Sequence, residues 1–277
     1  FHLVRGEYQA AHELAEELMS IARCVQDPAL FLPAHLALGF TSFRFGEFDS
    51  ARAHLEQGVA VYESQEDSPE RTKDLPYGQD PGVACLSFIA WALWHLGYPD
   101  QALKKSEEAI ALAQKIAHPF SLTFALHYCA AIHRLRREGR AAQQRSEQVL
   151  ALAREHGFPY FIAGGTFLRG WALAEQGNSE EGIAEMRRGL DVYRATGVEQ
   201  LGQLSTVLAE PCENAGQIAE GLELLAEALT ELGKSSESWW EEELYRLKGR
   251  LLLRSQASPR QGKTSPRRVK ARSKSKV

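Results

Sequence analysis

The residue types in this chain that could do chemistry are histidine, cysteine and glutamate, and their spacing favours a structural role. His127, Cys129 and His133 fall close together in one helical pattern. Cys129 and His133 are four residues apart, so a helix places them on one face, but His127 lies off that face and no third ligand is evident. We therefore expect a groove-lining or partly buried pair here and no metal site.

A second candidate is the stretch from Ala257 to Thr264, which matches a relaxed phosphate-binding loop with Ala in place of the first Gly. Such a loop needs a buried strand before it and a helix after it, because amides at the helix N-terminus face the phosphate. Here a helical pattern comes before the stretch, Pro259 lies inside it, and Ser265-Pro266 follows. We interpret the match as a coincidence and expect no nucleotide site.

The acidic run from Glu241 to Glu243 stands at a predicted helix start. The helix dipole favours carboxylates there, so capping explains the run better than acid–base chemistry does. The sequence also lacks the motifs of zinc peptidases, serine hydrolases and dinucleotide-binding folds. We therefore predict that the chain is not an enzyme and needs no cofactor.

Length and composition indicate an ordinary globular chain. It has 277 residues, of which 44% are hydrophobic and 25% charged, enough to build a core. Its four cysteines are scattered without a C-x-x-C motif, which predicts a reducing compartment and a cytoplasmic location. No apolar run is long enough to predict a membrane span. Because the first residue is Phe1, we expect a fragment of a longer protein.

The charge divides the chain into an acidic body and a basic tail. Residues 255–277 carry a local charge of +8, whereas residues 1–254 carry −12. The tail is rich in Ser, Pro, Lys and Arg and has no aromatic residue for base stacking, so we expect a disordered segment. An alternative is that it binds nucleic acid or an anionic membrane surface, and such nucleic-acid binding would be non-specific.

Internal repetition organises the body, because a glycine is followed five residues later by a small residue at intervals near 40. The pairs are Gly6/Ala11, Gly46/Ala51, Gly97/Ala102, Gly177/Gly182 and Gly216/Gly221, with Gly139/Gln144 as a weaker copy. Successive glycines are 40, 51, 42, 38 and 39 residues apart, and a polar insertion at residues 65–81 accounts for the long interval. Each unit has the pattern of two amphipathic helices without strand signals, which predicts an all-α solenoid of antiparallel helix pairs.

A further small residue stands seven positions before the glycine in four of the five full units. These residues are Gly39, Ala90, Gly170 and Ala209, and the exception is Ile132. Only Gly or Ala lets two helix backbones approach closely, so we expect the paired helices of each unit to cross at these positions.

The G-x-[YF]-x-x-A signature at residues 6–11 and 46–51 resembles the tetratricopeptide repeat family. The interval near 40 exceeds that family's usual 34, which suggests a long-helix variety. The resemblance covers residues 1–254 and implies one half-repeat, five full repeats and a lone final helix from Glu237 to Arg254.

A narrower resemblance lies in the last units. Residues 168–173 and 244–253 look like the C-terminal repeat arms of bacterial signalling proteins, in which an adenylate or guanylate cyclase module or a regulator is joined to a STAND-type ATPase. This resemblance implies a non-catalytic sensor or scaffold arm whose catalytic domains lie upstream. An alternative is that the chain belongs to such a cyclase or ATPase as one part of an enzyme.

In tetratricopeptide arrays the first helix of each unit lines a concave groove that takes a protein or peptide ligand. Offsets of −10, −6, −3 and −2 from each turn glycine therefore predict the groove residues here. Aromatic and arginine side chains dominate binding hot spots, and the alternative for the tryptophans is packing between helices. The predicted partner-binding residues are Phe40, Phe43, Arg44, Trp91, Trp94, His95, His133, Arg136, Arg137 and Trp171.

Overall fold

The computed structural model describes residues 7–65, 78–196, 201–233 and 237–257. These residues form twelve α-helices and no strand. In chain order they are α1 (Tyr8–Val25), α2 (Pro28–Arg44), α3 (Phe48–Ser64), α4 (Pro81–His95), α5 (Pro99–Ile116), α6 (Pro119–Leu135), α7 (Gly139–His156), α8 (Pro159–Glu175), α9 (Ser179–Ala195), α10 (Gly202–Asn214), α11 (Ile218–Leu232) and α12 (Glu241–Ala257).

The helices form antiparallel pairs that stack into a solenoid, as the repeats predict. Helices α2 to α11 make five pairs, α1 is the second half of an earlier unit, and α12 has no partner helix among the described residues. Within the described ranges, the backbones of the first helices of successive pairs lie close together along the array, whereas those of the second helices lie further apart. The first helices therefore form the inner layer of the solenoid.

Helix starts are set by proline and by side-chain caps. The first helices α2, α4, α6 and α8 all begin with proline, whose missing amide costs nothing at that position. Asp80 caps α4 by accepting a hydrogen bond from the Val83 amide at 2.9 Å. It also accepts one from the Tyr62 hydroxyl at 2.9 Å, and its own amide donates to the Ser121 hydroxyl at 2.8 Å. This single residue ties three consecutive units together.

The turn within each pair requires a left-handed residue, and this requirement corrects the register of the fourth unit. Gly46, Gly97, Gly177 and Gly216 all have positive φ. In the fourth unit the left-handed residue is Arg137, with φ 61°, and Gly139 already belongs to α7. The intervals between turn residues around it are then 40 and 40, so the prediction that Gly139 marks this turn is wrong.

The same correction removes the exception among the small residues. Seven positions before Arg137 stands Ala130, which is fully buried. Ile132, the residue named by the predicted register, lies two positions further along α6. Every full unit therefore has Gly or Ala at this position.

The closest crossing is between α8 and α9, where glycines face each other. A Cβ atom on Gly170 would lie 2.6 Å from the Gly182 carbonyl oxygen, and one on Gly182 would lie 2.5 Å from the Gly170 oxygen. Gly189, one heptad further, would place a Cβ 2.8 Å from the Phe167 amide nitrogen. These contacts are with backbone atoms, which cannot move aside as a side chain can, so the sequence admits only glycine here.

The ends of two predicted segments differ from the structure. The last helix begins at Glu241 and not at Glu237, and it continues to Ala257, so residues 255–257 of the predicted tail are helical. The rest of that tail, residues 258–277, lies outside the described residues, as do residues 66–77 of the predicted insertion. Pro81, at the end of that insertion, is the first residue of α4.

Candidate functional site

Three of the predicted groove residues are buried in the structure. Phe43 exposes 1% of its surface, His133 7% and Trp171 2%. Trp171 belongs to the core between α8 and its neighbours, with Phe167 and Met186. The alternative of packing between helices therefore describes Trp171. The remaining seven residues keep some exposure, and their role in partner binding stays a prediction.

The histidine and cysteine candidates are not brought together. His133 pairs through Nδ1 with Glu138 at 2.6 Å, and the Ser106 hydroxyl donates to the Cys129 sulfur at 3.5 Å. His127 faces Gly164 on α8, and burial lowers its pKa to about 4. Across the part of the chain that the structure describes, no group of three or more His, Cys, Asp or Glu side chains could hold a metal ion.

The two arginines predicted as hot spots are already paired within the array. Arg136 donates to Glu138 at 2.8 Å and to Asp100, at the start of α5, at 3.0 Å. Arg137 donates to Glu175 at 3.0 Å and also to Glu210. The hydrogen bonds to Glu138 and Asp100 raise the pKa of Arg136. Through Glu175 and Glu210, Arg137 links the fourth, fifth and sixth units.

The corrected register points instead to Arg134, three residues before the left-handed turn. Its side chain is half-buried, and among the described residues it makes no hydrogen bond or ion pair. Its pKa is lowered to about 10, chiefly by burial and also by the charge of Arg137, against the opposing charges of Glu210 and Glu243. Sequence reasoning missed Arg134, although the uneven 42- and 38-residue intervals on either side of Gly139 were the available signal.

Residues 237–240, which we call the internal segment, lie against the inner layer and join the end of the array to its start. Glu237 accepts an ion-paired hydrogen bond from Arg44 Nη1 at 2.6 Å. The Ser238 amide donates to the Arg44 carbonyl at 3.1 Å, and the Ser238 hydroxyl donates to the Phe45 carbonyl at 2.7 Å. These contacts join residues 193 and 194 positions apart, so the last part of the array contacts the first full pair of helices.

Trp239 of the internal segment is surrounded by four side chains of α2 and α4, which we call the cradle: Phe43, Arg44, Trp91 and His95. Its ring centroid lies 5.3 Å from that of Phe43, 5.2 Å from Trp91 and 5.8 Å from His95. The Arg44 guanidinium lies 5.8 Å from the Trp239 ring, within cation–π range. Four of the predicted groove residues therefore contact a single side chain of the same molecule.

Arg44 is the charged centre of the cradle. Its guanidinium also stacks over the rings of Tyr8 at 5.3 Å and Phe40 at 4.8 Å. Burial opposes the charge, but Tyr8 and Glu237 outweigh it and raise the pKa of Arg44 above its ordinary value. For the Tyr8 hydroxyl, in contrast, burial is what raises the pKa, to about 12. Arg44 therefore stays charged, and its ion pair with Glu237 is only partly exposed to solvent.

The cradle leaves polar atoms unsatisfied. Arg44 Nε, Trp91 Nε1 and His95 Nε2 are buried and have no hydrogen-bond partner among the residues that the structure describes. Burial, together with the charge of Arg134, lowers the pKa of His95 to about 4, so its imidazole is neutral at pH 7. Buried polar groups in proteins are normally paired, and three orphans at one place need an explanation.

Aromatic side chains continue along the inner layer beyond the cradle. The Tyr128 ring on α6 lies 5.4 Å from that of Trp91, and the Tyr160 ring at the start of α8 lies 5.1 Å from that of Tyr193 on the second helix α9. Tyr160 exposes 44% of its surface. Flat aromatic area and guanidinium groups on one concave surface suit the recognition of a polypeptide.

Comparisons with known proteins agree with this architecture. The model of the family described as Tetratricopeptide repeat matches residues 32–57 and 83–103. An uncharacterized protein of Rhizobium meliloti (strain 1021) is 24% identical over 259 residues, which are 93% of this chain and 25% of that protein. The chain thus spans about a quarter of the length of this relative. No helix within the described ranges is long and apolar enough to cross a membrane.

Two solved structures share the fold. A Rap protein complexed with Competence and Sporulation Factor superimposes with a TM-score of 0.60 at 13% identity, covering 89% of this chain and 72% of that one. A thermophilic TPR protein of Thermus thermophilus superimposes with a TM-score of 0.53 at 18% identity, covering 80% of this chain and 99% of that one. From its helix pairs, its left-handed turns and these matches, the chain has a tetratricopeptide-like fold, and two of its segments match the repeat family's model.

Proposed function

We propose that the chain is a non-catalytic scaffold whose inner surface binds a protein or peptide partner. The observation that carries this proposal is the unpaired guanidinium of Arg134 on α6, beside an inner layer rich in aromatic rings. A half-buried arginine without a partner among the described residues is a ready donor for a carboxylate. The Rap protein with the same fold is complexed with Competence and Sporulation Factor, which supports a binding role for such an array.

The finer part of the proposal is that this scaffold is the sensor arm of a longer bacterial signalling protein in the cytoplasm, with catalytic domains upstream. The similar protein of Rhizobium meliloti is about four times the length matched here, which supports a multidomain context. Binding through the basic tail stays a separate prediction, because residues 258–277 lie outside the described residues.

A peptide library displayed on phage tests the inner surface without a known partner. Peptides selected on the full chain are remeasured against Arg134→Gln and against Arg154→Gln, which removes the same charge from an exposed position on α7. We expect Arg134→Gln to weaken binding at least tenfold, about 1.4 kcal/mol, and Arg154→Gln to leave it unchanged. Equal affinities for both variants would place the selected site elsewhere and contradict the proposal.

A further inference from the structure

We propose that the internal segment is a built-in ligand of the inner surface. The partner that replaces it is an extended peptide with a carboxylate followed two residues later by an aromatic ring. This inference rests on the proposed function and names the chemistry of the partner and the way in which its access is controlled.

The contacts of the internal segment are those of a bound peptide. One carboxylate, that of Glu237, meets the Arg44 guanidinium, while Ser238 supplies main-chain and hydroxyl donors to two carbonyls. One aromatic ring, that of Trp239, enters the aromatic cradle. An acidic residue, a spacer and an aromatic residue therefore satisfy the inner surface in sequence, with an ion pair at one end and stacking at the other.

Trp240, the residue after Trp239, is buried in a different part of the structure, so the segment has a docking residue and an anchoring residue. Trp240 is 5% exposed and belongs to the core formed by α11 and α12, with Leu225 and Leu244. Trp239 is only partly buried, contacts α2 and α4, and borders the α11–α12 core without being one of its buried members. Trp240 therefore fixes the segment to its own repeat as a buried member of that core, and Trp239, which only borders the core, is the side chain that can leave the cradle.

The orphaned atoms of the cradle show that the internal segment is an incomplete ligand. It pairs Nη1 of Arg44 but leaves Arg44 Nε and Trp91 Nε1 without acceptors among the described residues. Each buried donor without a partner destabilises the closed form. A peptide whose backbone carbonyls or second carboxylate oxygen reach these two donors gains hydrogen bonds that the internal segment does not make.

Tethering compensates for this incomplete fit. A segment held by its own chain competes at an effective concentration of about a millimolar, so a weakly bound segment still blocks a free peptide. Only a partner with better hydrogen bonding displaces it, and its arrival breaks the Arg44–Glu237 link between the two ends of the array. Binding and opening of the solenoid are then one event.

The test uses the full 277-residue chain and a fluorescent peptide with the sequence of residues 235–242. In Trp239→Ala the cradle is vacated, and we expect saturable binding at least tenfold tighter than that of the unaltered chain. Adding Arg44→Gln to Trp239→Ala should abolish that gain, because the peptide carboxylate loses its partner. Tyr245→Ala removes an exposed aromatic from α12 and should behave like the unaltered chain.

Circular dichroism shows whether each variant keeps its helices. Where Trp239→Ala does not fold, Glu237→Gln provides the same measurement with a neutral side chain of equal size. A folded variant that binds the peptide no better than the unaltered chain overturns the inference, and so does unfolding of both variants, since the segment is then an obligatory part of the fold.

The outcome is separable from that of the proposed function. The probe here is the chain's own sequence and needs no partner, whereas the displayed library tests Arg134 and the inner surface at large. Enrichment of an acidic residue two positions before an aromatic one among selected peptides supports the stated chemistry. Selected peptides that depend on Arg134 but bind equally well to Trp239→Ala and to the unaltered chain contradict this inference alone.

Discussion

The α8–α9 pair and the internal segment are held in the solenoid in opposite ways. Between α8 and α9 the backbones approach through facing glycines, so that backbone atoms of one helix lie where a Cβ atom of the other would be. Between the internal segment and α2 and α4, a large ring fills the space and three polar atoms remain unpaired among the described residues. The α8–α9 crossing accepts only glycine, because the backbone atoms that face each other there cannot move aside. The internal segment is held by side-chain contacts, and another ligand can form the hydrogen bonds that these contacts leave unmade.

The largest expected effect is at the glycine crossing. Gly170→Ala places a Cβ 2.6 Å from a carbonyl oxygen, so we expect it to lower the free energy of unfolding by about 3 kcal/mol through overpacking. Gly249→Ala, on α12 with nothing within 4 Å, should raise it by about 0.5–1 kcal/mol through helix propensity. Urea titrations of both variants measure the difference. Equal and small effects would contradict the close crossing.

A smaller effect is expected from the buried histidine His127. Its pKa is lowered from 6.5 to about 4 by burial, so between these pH values the unfolded chain binds more protons than the folded one. Stability should therefore fall as the pH falls from about 6.5 towards 4, by at most roughly 3 kcal/mol from this residue. His127→Gln should flatten that dependence, whereas the exposed His156→Gln should not. Thermal midpoints measured across this pH range decide the matter, and parallel curves for His127→Gln and the unaltered chain would contradict this role.

The smallest effect is expected at Arg136, which sequence reasoning placed in the groove. Its partner Asp100 is 92% exposed in its side chain, and such surface ion pairs contribute about 0–1 kcal/mol. Arg136→Gln should therefore change stability by less than about 1 kcal/mol and change the affinity of a selected peptide less than about twofold. A tenfold loss of affinity in Arg136→Gln, with none in Arg134→Gln, would restore the original register.

Sequence periodicity was sufficient to predict the helix pairs, the turns at Gly46 and Gly97 and the close approach at Gly170, because each depends on local sterics. It failed in the fourth unit because Arg137 adopts the left-handed conformation that glycine adopts elsewhere. The count of small residues and the even interval of 40 would have revealed this substitution, and with it Arg134.

The internal segment could not be predicted, because Glu237 and Arg44 lie 193 residues apart and no local pattern joins them. Their contact depends on how far the stacked units curve, a property summed over five helix pairs. The contacts of Trp239 with Phe43 and Trp91 depend on that same curvature. Sequence reasoning therefore grouped the cradle residues on one surface, but it could not predict that Trp239 covers them.

Native-state hydrogen exchange of the full chain tests most directly whether the internal segment is an exchangeable contact on a rigid scaffold. The Ser238 amide, bonded to the Arg44 carbonyl, should exchange through local opening at least about a hundredfold faster than the central amides of α8 and α9. Those helices should open only with the whole fold. Exchange of Ser238 at the same slow rate as α8 and α9 would show that the segment opens only on global unfolding, and would contradict the account.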